Sequence, residues 1–305
     1  MKVPIVFIIY KRIDTTKKVF KLIHYYKPKK LYLIADGPKV IEDNNKCSEV
    51  RNFVEDNIDW DCELIKVYSD KNLGCAKRIQ TGLDYVFESE EMAIILEDDT
   101  LPDPSFFSFC EELLERYNDD MRVTHISGCN LHSNVVNFKE SYCFSSIVNI
   151  WGWATWKRAW MNYDISMQFW SNEDKDSFIS NWCPDRKSHE GIRKMFDLHC
   201  KNEAPGTWDY QWTYACWKMN GLSVVPARNL VSNIGIGPDA THTKSKKQIT
   251  LYPKKLESIS FPLKHSHLKR NRIFELLYYK ESQLSILQNA KLWLKRIINT
   301  WKQDH

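Results

Sequence analysis

Short apolar runs alternate with amphipathic stretches through the first hundred residues of the chain. Val3–Ile9 is a β-rich run closed by the polar triplet Tyr10-Lys11-Arg12. The spacing then predicts a helix from Thr15 to about Tyr26, a strand over Lys30–Ala35, and a turn at Asp36-Gly37-Pro38. A helix over residues 48–57 and a strand over Cys62–Tyr68 follow. Gly74 opens a long helix to about Phe87, and Met92–Leu96 is a fourth strand running straight into Glu97-Asp98-Asp99. Strands alternating with helices of this length predict a parallel, doubly wound α/β sheet buried on both faces. Such sheets bind ligands beyond the carboxyl ends of their strands. The polar residues at those ends are Tyr10-Lys11-Arg12, Asp36, Asp70-Lys71-Asn72 and Glu97-Asp98-Asp99, and all four sets converge on one edge.

The far end of the chain is patterned differently. Ile273, Leu277, Leu284, Leu287, Leu294, Ile298 and Trp301 recur at helical spacing, with Lys291, Lys295, Arg296 and Lys302 close to that face. Such a helix packs on its own domain or lies on a membrane surface. The longest apolar runs are about five residues, against the roughly 20 that cross a bilayer, so no spanning helix is expected. The brief apolar start, interrupted by Lys11-Arg12, does not read as a signal peptide, and a cytoplasmic protein is the expectation.

Composition adds three points. Hydrophobic residues at 43% and charged residues at 27% are ordinary for a globular chain and exclude a disordered or fibrous one. The nine cysteines are scattered without a C-x-x-C pair, which speaks against a disulfide framework or a zinc ribbon. Nine of the 12 tryptophans fall between residues 151 and 217. Aromatic faces stack on sugars, but most of these rings are expected in the core, with Trp153 and Trp208 singled out as site residues. The net charge of +4 hides an asymmetry. Residues 244–305 carry 14 Lys/Arg against four Asp/Glu, whereas the preceding 243 carry 29 against 35. A basic segment of this kind is a solvated tail or a partner for an anionic surface.

Three adjacent carboxylates at the mouth of an apolar strand repel one another and lose solvation. A divalent cation held by oxygen ligands relieves that repulsion and bridges a diphosphate. The plainer alternative is an acidic turn before the helix that Pro102-Asp103-Pro104-Ser105 starts. Neither G-x-G-x-x-G after the first strand nor G-x-x-x-x-G-K-[ST] occurs, which argues against dinucleotide and P-loop chemistry. Asp209, set among aromatics in Thr207-Trp208-Asp209-Tyr210-Gln211-Trp212, is either a proton acceptor or the N-cap of a following helix. His242 follows Ser232-Asn233-Ile234-Gly235-Ile236-Gly237, a stretch suited to a mobile lid, and is a metal ligand or a surface residue.

Taken in order, these stretches resemble GT-A glycosyltransferases, and more closely eukaryotic N-acetylglucosaminyltransferase I and bacterial glycosyltransferase family 2-like proteins. The matching residues are Tyr10-Lys11-Arg12, Leu22 to Pro28, Asp36, Cys75-Ala76-Lys77-Arg78, Ile95 to Asp99 with Pro104-Ser105-Phe106-Phe107, Trp151-Gly152-Trp153, and Trp208 to Trp212. The resemblance covers most of residues 3–243. It implies a single GT-A domain with a mostly parallel central sheet and flanking helices. Residues 1–100 would bind the nucleotide sugar, 101–243 the acceptor, and 244–305 would form a basic segment with a C-terminal helix. It further implies a UDP-sugar site in which Arg12, Asp36 and Asn72 serve the nucleotide and Asp36 reads the uracil. Arg78 stands where the family has a histidine. Glu97 would lie by the donor sugar, Asp98 by the ribose, and Asp99 would ligate Mn²⁺ or Mg²⁺, with His242 as a further ligand. Asp209 would be the base and Trp208 would lie against the sugar.

The implied reaction is inverting, metal-dependent transfer of GlcNAc or a hexose to a hydroxyl of a glycan or lipid-linked oligosaccharide in surface polysaccharide synthesis. Inversion follows if Asp209 deprotonates the acceptor and is not itself the nucleophile. The basic end then suggests an anionic inner membrane leaflet as partner. A sugar-1-phosphate nucleotidyltransferase is disfavoured, because those enzymes carry a glycine-rich loop after the first strand and Tyr10-Lys11-Arg12-Ile13 has no glycine. A non-catalytic carbohydrate- or nucleic-acid-binding protein is disfavoured too, since three carboxylates repel a phosphate backbone, and no nucleic acid partner is expected.

Overall fold

The computed structural model describes residues 2–131, 138–203, 206–235 and 255–280. The first part alternates as the apolar pattern requires: β1 (Ile5–Ile9), α1 (Ile13–Tyr26), β2 (Lys30–Ala35), α2 (Asp43–Asp56), β3 (Glu63–Tyr68), α3 (Cys75–Ser89) and β4 (Met92–Glu97). Then come β5 (Thr100–Pro102), α4 (Ser105–Arg116), β6 (Val123–Ser127), β7 (Tyr142–Ser145), β8 (Trp153–Trp156) and α5 (Lys157–Trp160). The chain continues through α6 (Lys175–Trp182), α7 (Arg186–Cys200), α8 (Asp209–Lys218), β9 (Leu222–Pro226) and β10 (Val231–Asn233).

Eight strands form one sheet in the order β3-β2-β1-β4-β8-β6-β9-β7, and β10 pairs with β5 apart from it. β1 to β4 run parallel, in register Ile5 with Leu31 and Ile5 with Ile94. Beyond them the sheet is mixed. β8 lies antiparallel between β4 and β6, and β7 runs antiparallel to β9. The sheet is therefore mostly parallel with two reversed strands. The α/β alternation signals neither reversal, because β8 is only Trp-Ala-Thr-Trp, wholly buried and without period-two contrast.

Burial on both faces explains the unbroken apolar runs. On one face Ile5, Phe7, Ile9, Leu31 and Leu33 meet α1, α2 and α4 through Val19, Phe20, Val50 and Phe107. On the other, Val6, Ile8, Tyr32 and Ile34 meet α3, α5 and α8 through Leu83, Val86, Trp160 and Trp212. The tryptophan-rich stretch supplies both layers, with Trp156, Trp170, Trp182 and Trp217 in the first and Trp153, Trp160, Trp208 and Trp212 in the second.

Residues 255–280 form an arm docked along β7. Ile259, Leu263 and Phe274 are buried, the Ser141 amide donates to the Lys264 carbonyl at 2.8 Å, and Arg270 bridges to Phe144. This arm covers an edge strand that would otherwise offer open hydrogen-bonding groups. Arg270 pairs with fully buried Glu275 at 2.8 Å, and its guanidinium also donates to the carbonyls of Asn181 and Trp182. The opening turns of the C-terminal helix, residues 272–280, thus pack on the domain. The inward face is not the predicted one: Phe274 and Tyr278 turn in, the latter donating to Asn149 Oδ1 at 3.0 Å, while Ile273 is 72% exposed. The remaining members of the predicted stripe, from Leu284 to Trp301, lie outside the described residues, as do His242 and residues 244–254 of the basic segment. Among the described residues no helix is long and apolar enough to cross a membrane.

Candidate active site

The turn after β4 is fixed by Thr100, whose Oγ1 accepts from the Glu97 amide at 2.8 Å and donates to the Glu97 carbonyl at 3.0 Å. β5 and β10 then fold back antiparallel, the Ile234 amide donates to the Asp99 carbonyl at 2.8 Å, and Gly235 is laid on the acid turn. A Cβ on Gly235 would stand 2.1 Å from Asp99 Oδ2 and 2.6 Å from Arg12 Nη1. A side chain there would have to push the Asp99 carboxylate and the Arg12 guanidinium aside.

Arg12 leaves β1 at the start of α1 and reaches across to the turn. Its Nη2 contacts Asp98 Oδ1 and lies 2.7 Å from Asp99 Oδ2. Burial opposes the guanidinium charge, but Asp98 and Asp99 override it and hold the Arg12 pKa above its usual value. Among the described residues Glu97 has no such partner. Burial, then the charges of Asp99 and Asp98, push its carboxyl up to about 8. Burial raises Asp98 to about 6 against the pull of Arg12. Asp98 is 3% exposed, and among the described residues its Oδ2 has no hydrogen-bond partner.

The neighbouring strand ends form a framework around this turn. Asp36 accepts from the amides of Gly37 and Leu73, both at 2.9 Å, and of Gly74 at 3.0 Å, so its buried carboxylate ties the end of β2 to the loop before α3. Gly74 adopts φ +78°, where a side chain would be strained. Asn72 donates to the Gly37 carbonyl at 2.7 Å and to Tyr10 Oη at 3.3 Å. Arg78, 6% exposed, spends Nη2 on the Val67 carbonyl at 3.1 Å and leaves Nε unpaired; burial lowers its pKa. Arg51, which the sequence did not flag, donates to the carbonyls of Asp36 and Ser69. Asp36 and Arg78 are thus bound up in holding the framework.

Asp209 lies near enough to the acid turn for its charge to act on Glu97. It is the first residue of α8, whose N-cap is Trp208, and among the described residues nothing hydrogen-bonds its carboxylate. Its charge bears on Glu97, and also on Cys75, Tyr163, His199 and Tyr210. Cys75, at the start of α3, lies within reach of the charges of both the acid turn and Asp209. The residue as a whole is exposed, yet burial of its thiol, then the charges of Glu97, Asp209, Asp99 and Asp36, drive its pKa up. The segment before Asp209 is held by the Ala76 amide on the Gly206 carbonyl (3.2 Å), by His199 Nε2 on Thr207 Oγ1 (3.3 Å) and by Tyr163 Oη on the Trp208 carbonyl (3.4 Å). Cys75, Tyr163 and His199 carried no individual signal in the sequence.

Trp153 is placed behind the cleft and not in it. It has no exposed surface and stacks on both His125 and Trp208, each with ring centroids 5.3 Å apart, so a sugar cannot reach its faces. Trp208 is 3% exposed. The partly exposed rings beside Asp209 are Tyr163 and Tyr210. Tryptophan's size makes it attractive as a sugar platform on paper, but the same size makes it the filler of this layer.

His125 anchors that aromatic layer. Trp212 Nε1 donates to its Nδ1 at 3.1 Å, so Nε2 carries the proton and donates to the Asn149 carbonyl at 2.9 Å. Burial lowers its pKa from 6.5 to about 4. The native state therefore binds fewer protons than the unfolded chain within that interval, and stability on the order of 3 kcal/mol, present above it, is lost as pH falls through it. Thermal midpoints measured from neutral pH down to 4 should fall less steeply in His125→Gln than in the wild type. Parallel curves would show that His125 does not govern acid lability.

Among the described residues no three His, Cys, Asp or Glu side chains converge as a ready metal site. A hard divalent ion is nevertheless commonly held by one or two carboxylates, with substrate phosphates and water completing its shell. The unpartnered, buried Asp98 Oδ2 beside Asp99 fits that mode of binding.

Neither a family model nor a curated protein matches the chain. Among solved structures, it is similar to the mannosyltransferase PcManGT from Pyrobaculum calidifontis, in complex with GDP-Man and Mn²⁺, at 15% identity over 71% of this chain and 69% of that one, with a TM-score of 0.41. It is similar to the galactosyltransferase LgtC, in complex with donor and acceptor sugar analogs, at 10% identity over 70% of each chain, with a TM-score of 0.37. A third similar structure is the 4-diphosphocytidyl-2C-methyl-D-erythritol synthase of Anaerococcus prevotii, at 10% identity, 70% and 84% coverage and a TM-score of 0.34. The likeness to N-acetylglucosaminyltransferase I rests on the sequence motifs alone.

Proposed function

We propose that the protein is a metal-dependent inverting glycosyltransferase that moves a sugar, GlcNAc or a hexose, from a UDP-sugar to a hydroxyl of a glycan or lipid-linked oligosaccharide. One observation supports this reading above the others: Asp209, whose carboxylate has no hydrogen-bond partner among the described residues, lies within electrostatic reach of the acid turn, and both act on Cys75. Asp99, with Asp98 beside it, would hold Mn²⁺ or Mg²⁺, which when bound supplies Lewis-acid stabilisation of the leaving diphosphate. Arg12 adds a fixed positive charge at the same place. The framework of Asp36, Asn72 and Gly74 shapes the floor on which a nucleoside would lie. Asp209 takes the proton of the attacking hydroxyl. Glu97, beside the acid turn, is placed to hydrogen-bond the donor sugar. The test is a screen for nucleotide release from UDP-, GDP- and dTDP-sugars with Mn²⁺. Release from UDP-sugars, abolished by chelation, is expected. No release from any donor would overturn the reading.

Gly235→Ala places a methyl group where Asp99 Oδ2 and Arg12 Nη1 now stand. Displacing groups that position a leaving phosphate by about 1 Å costs on the order of a hundredfold in turnover. Turnover of the donor found by the screen should fall by that factor, with circular dichroism unchanged. An unimpaired Gly235→Ala would show that the β10 end does not shape the site.

A further inference from the structure

Where the docked arm crosses the residues before β7 and the turn after β9, it encloses a cavity of about 240 Å³. Lys139, Arg228 and Lys264 line it with Ser141, Ser260 and Phe138, and Glu140 is the one carboxylate in the lining. Among the described residues the ion-pair partner of Arg228 is Glu257, at a loose 3.5 Å. The walls are built: Ser141 Oγ accepts from the Lys264 amide at 2.9 Å, and Ser258 Oγ donates to Asp103 at 2.9 Å. The cavity of about 340 Å³ between α1 and α2 makes a useful contrast, since its Lys17, Lys21 and His24 are balanced by Asp56 and Asp59, with His24 and Asp59 2.8 Å apart. Of these two cavities, the one under the arm keeps an excess of positive charge.

Clustered cations with hydroxyls suit a phosphate group. The surroundings say which kind. Phe261 stands between two lining residues, Ser260 and Pro262, and is 43% exposed, while Ile273 on the same arm is 72% exposed. Lys255, Lys269, Arg272 and Lys280 are exposed along it. Apolar side chains standing out of a basic surface are poorly placed in water but suit a membrane interface, where they enter the acyl boundary while the cations meet lipid phosphates. A soluble phosphate ester would make no use of the apolar ring of Phe261 beside the pocket.

We propose that this pocket binds the phosphate head group of an anionic lipid and seats the acceptor half of the protein on a membrane surface. The proposal deepens the reading of a lipid-linked acceptor. It shares no lining residue with the acid turn, so either can fail without the other.

The test sediments the 305-residue chain with vesicles of phosphatidylcholine alone, and of equal parts phosphatidylcholine and phosphatidylglycerol. Binding to the second and not the first is expected. At about 1 kcal/mol per basic residue near the surface, roughly fivefold each, the triple variant Lys139→Gln/Arg228→Gln/Lys264→Gln should partition about a hundredfold less. Phe261→Ser should weaken binding further, whereas Lys291→Gln/Lys295→Gln/Arg296→Gln should retain most of it. The three pocket cations are exposed, so an unchanged thermal midpoint is expected, and the single variant Arg228→Gln serves if the triple does not fold. UDP binding should be unaffected in the pocket variants, which keeps this result separate from the donor site. Loss of vesicle binding in the tail variant but not the pocket variants would overturn the proposal. So would tighter binding to duplex DNA than to the anionic vesicles at equal salt, or binding of glycerol 3-phosphate without any vesicle binding.

Discussion

Asp99→Ala is expected to abolish metal-dependent binding of UDP while leaving the protein at least as stable as the wild type. The two effects have one cause. Asp99 Oδ2 lies 2.7 Å from Arg12 Nη2 at the mouth of a strand where three carboxylates crowd together. The cost of that crowding appears on Glu97, which burial and then Asp99 and Asp98 raise to about 8. Removing Asp99 relieves the repulsion, and Arg12 keeps Asp98 as its partner. A residue that weakens the fold but is needed for a ligand is the signature of a site under functional demand. By calorimetry, UDP affinity in the presence of Mn²⁺ should fall by about a hundredfold, the scale of a lost charge-assisted contact of roughly 3 kcal/mol. It should then equal the affinity of the wild type in EDTA. Equal affinities in wild type and variant, with and without Mn²⁺, would remove the basis for placing a cation on the acid turn.

How far the sequence carried the reading depends on the type of contact involved. β1 to β4 and their helices were legible because both faces of those strands are buried, so apolar runs of five or six residues had few alternative meanings. Asp43 shows the limit. It starts α2 five residues earlier than the apolar pattern does, because the first turn is polar and held by Lys11 at 2.8 Å. The acid turn was legible as chemistry, since Glu97-Asp98-Asp99 follows a strand without a break. Its partner Arg12 was legible only as the polar end of another strand, and Gly235 only as part of a flexible stretch. What brings these three together is the pairing of β5 with β10, three residues each and 130 apart in the chain, too short for any periodic signal. Trp153 was over-read: its neighbours in sequence mark a motif, but its neighbours in space, His125, Trp208 and Trp212, close off its faces. The docked arm was read as a charged tail because charge is visible in composition, whereas the buried Arg270–Glu275 pair that fastens it is a tertiary fact.

The largest effect on rate is expected at Asp209. Asp209→Asn should lower turnover by about a thousandfold or more, the upper part of the range for a positioned general base, while donor affinity stays within about twofold of wild type. The split between turnover and affinity discriminates between the two meanings an acid at a helix start can have. Were Asp209 a cap, the asparagine would substitute well, and helix stability would hardly change. In the structure the cap position belongs to Trp208, and nothing among the described residues bonds the Asp209 carboxylate, so its removal frees no buried donor. Only the helix dipole would register the lost charge, at no more than about 1 kcal/mol. A thermal midpoint close to wild type, donor binding intact and transfer lost would therefore assign the carboxylate to proton removal. Turnover within tenfold of wild type would leave the cleft without its base and point to another group facing Glu97. Of the residues that share the field of Asp209, His199 is the one to test next, because it is hydrogen-bonded to Thr207, two residues before Asp209.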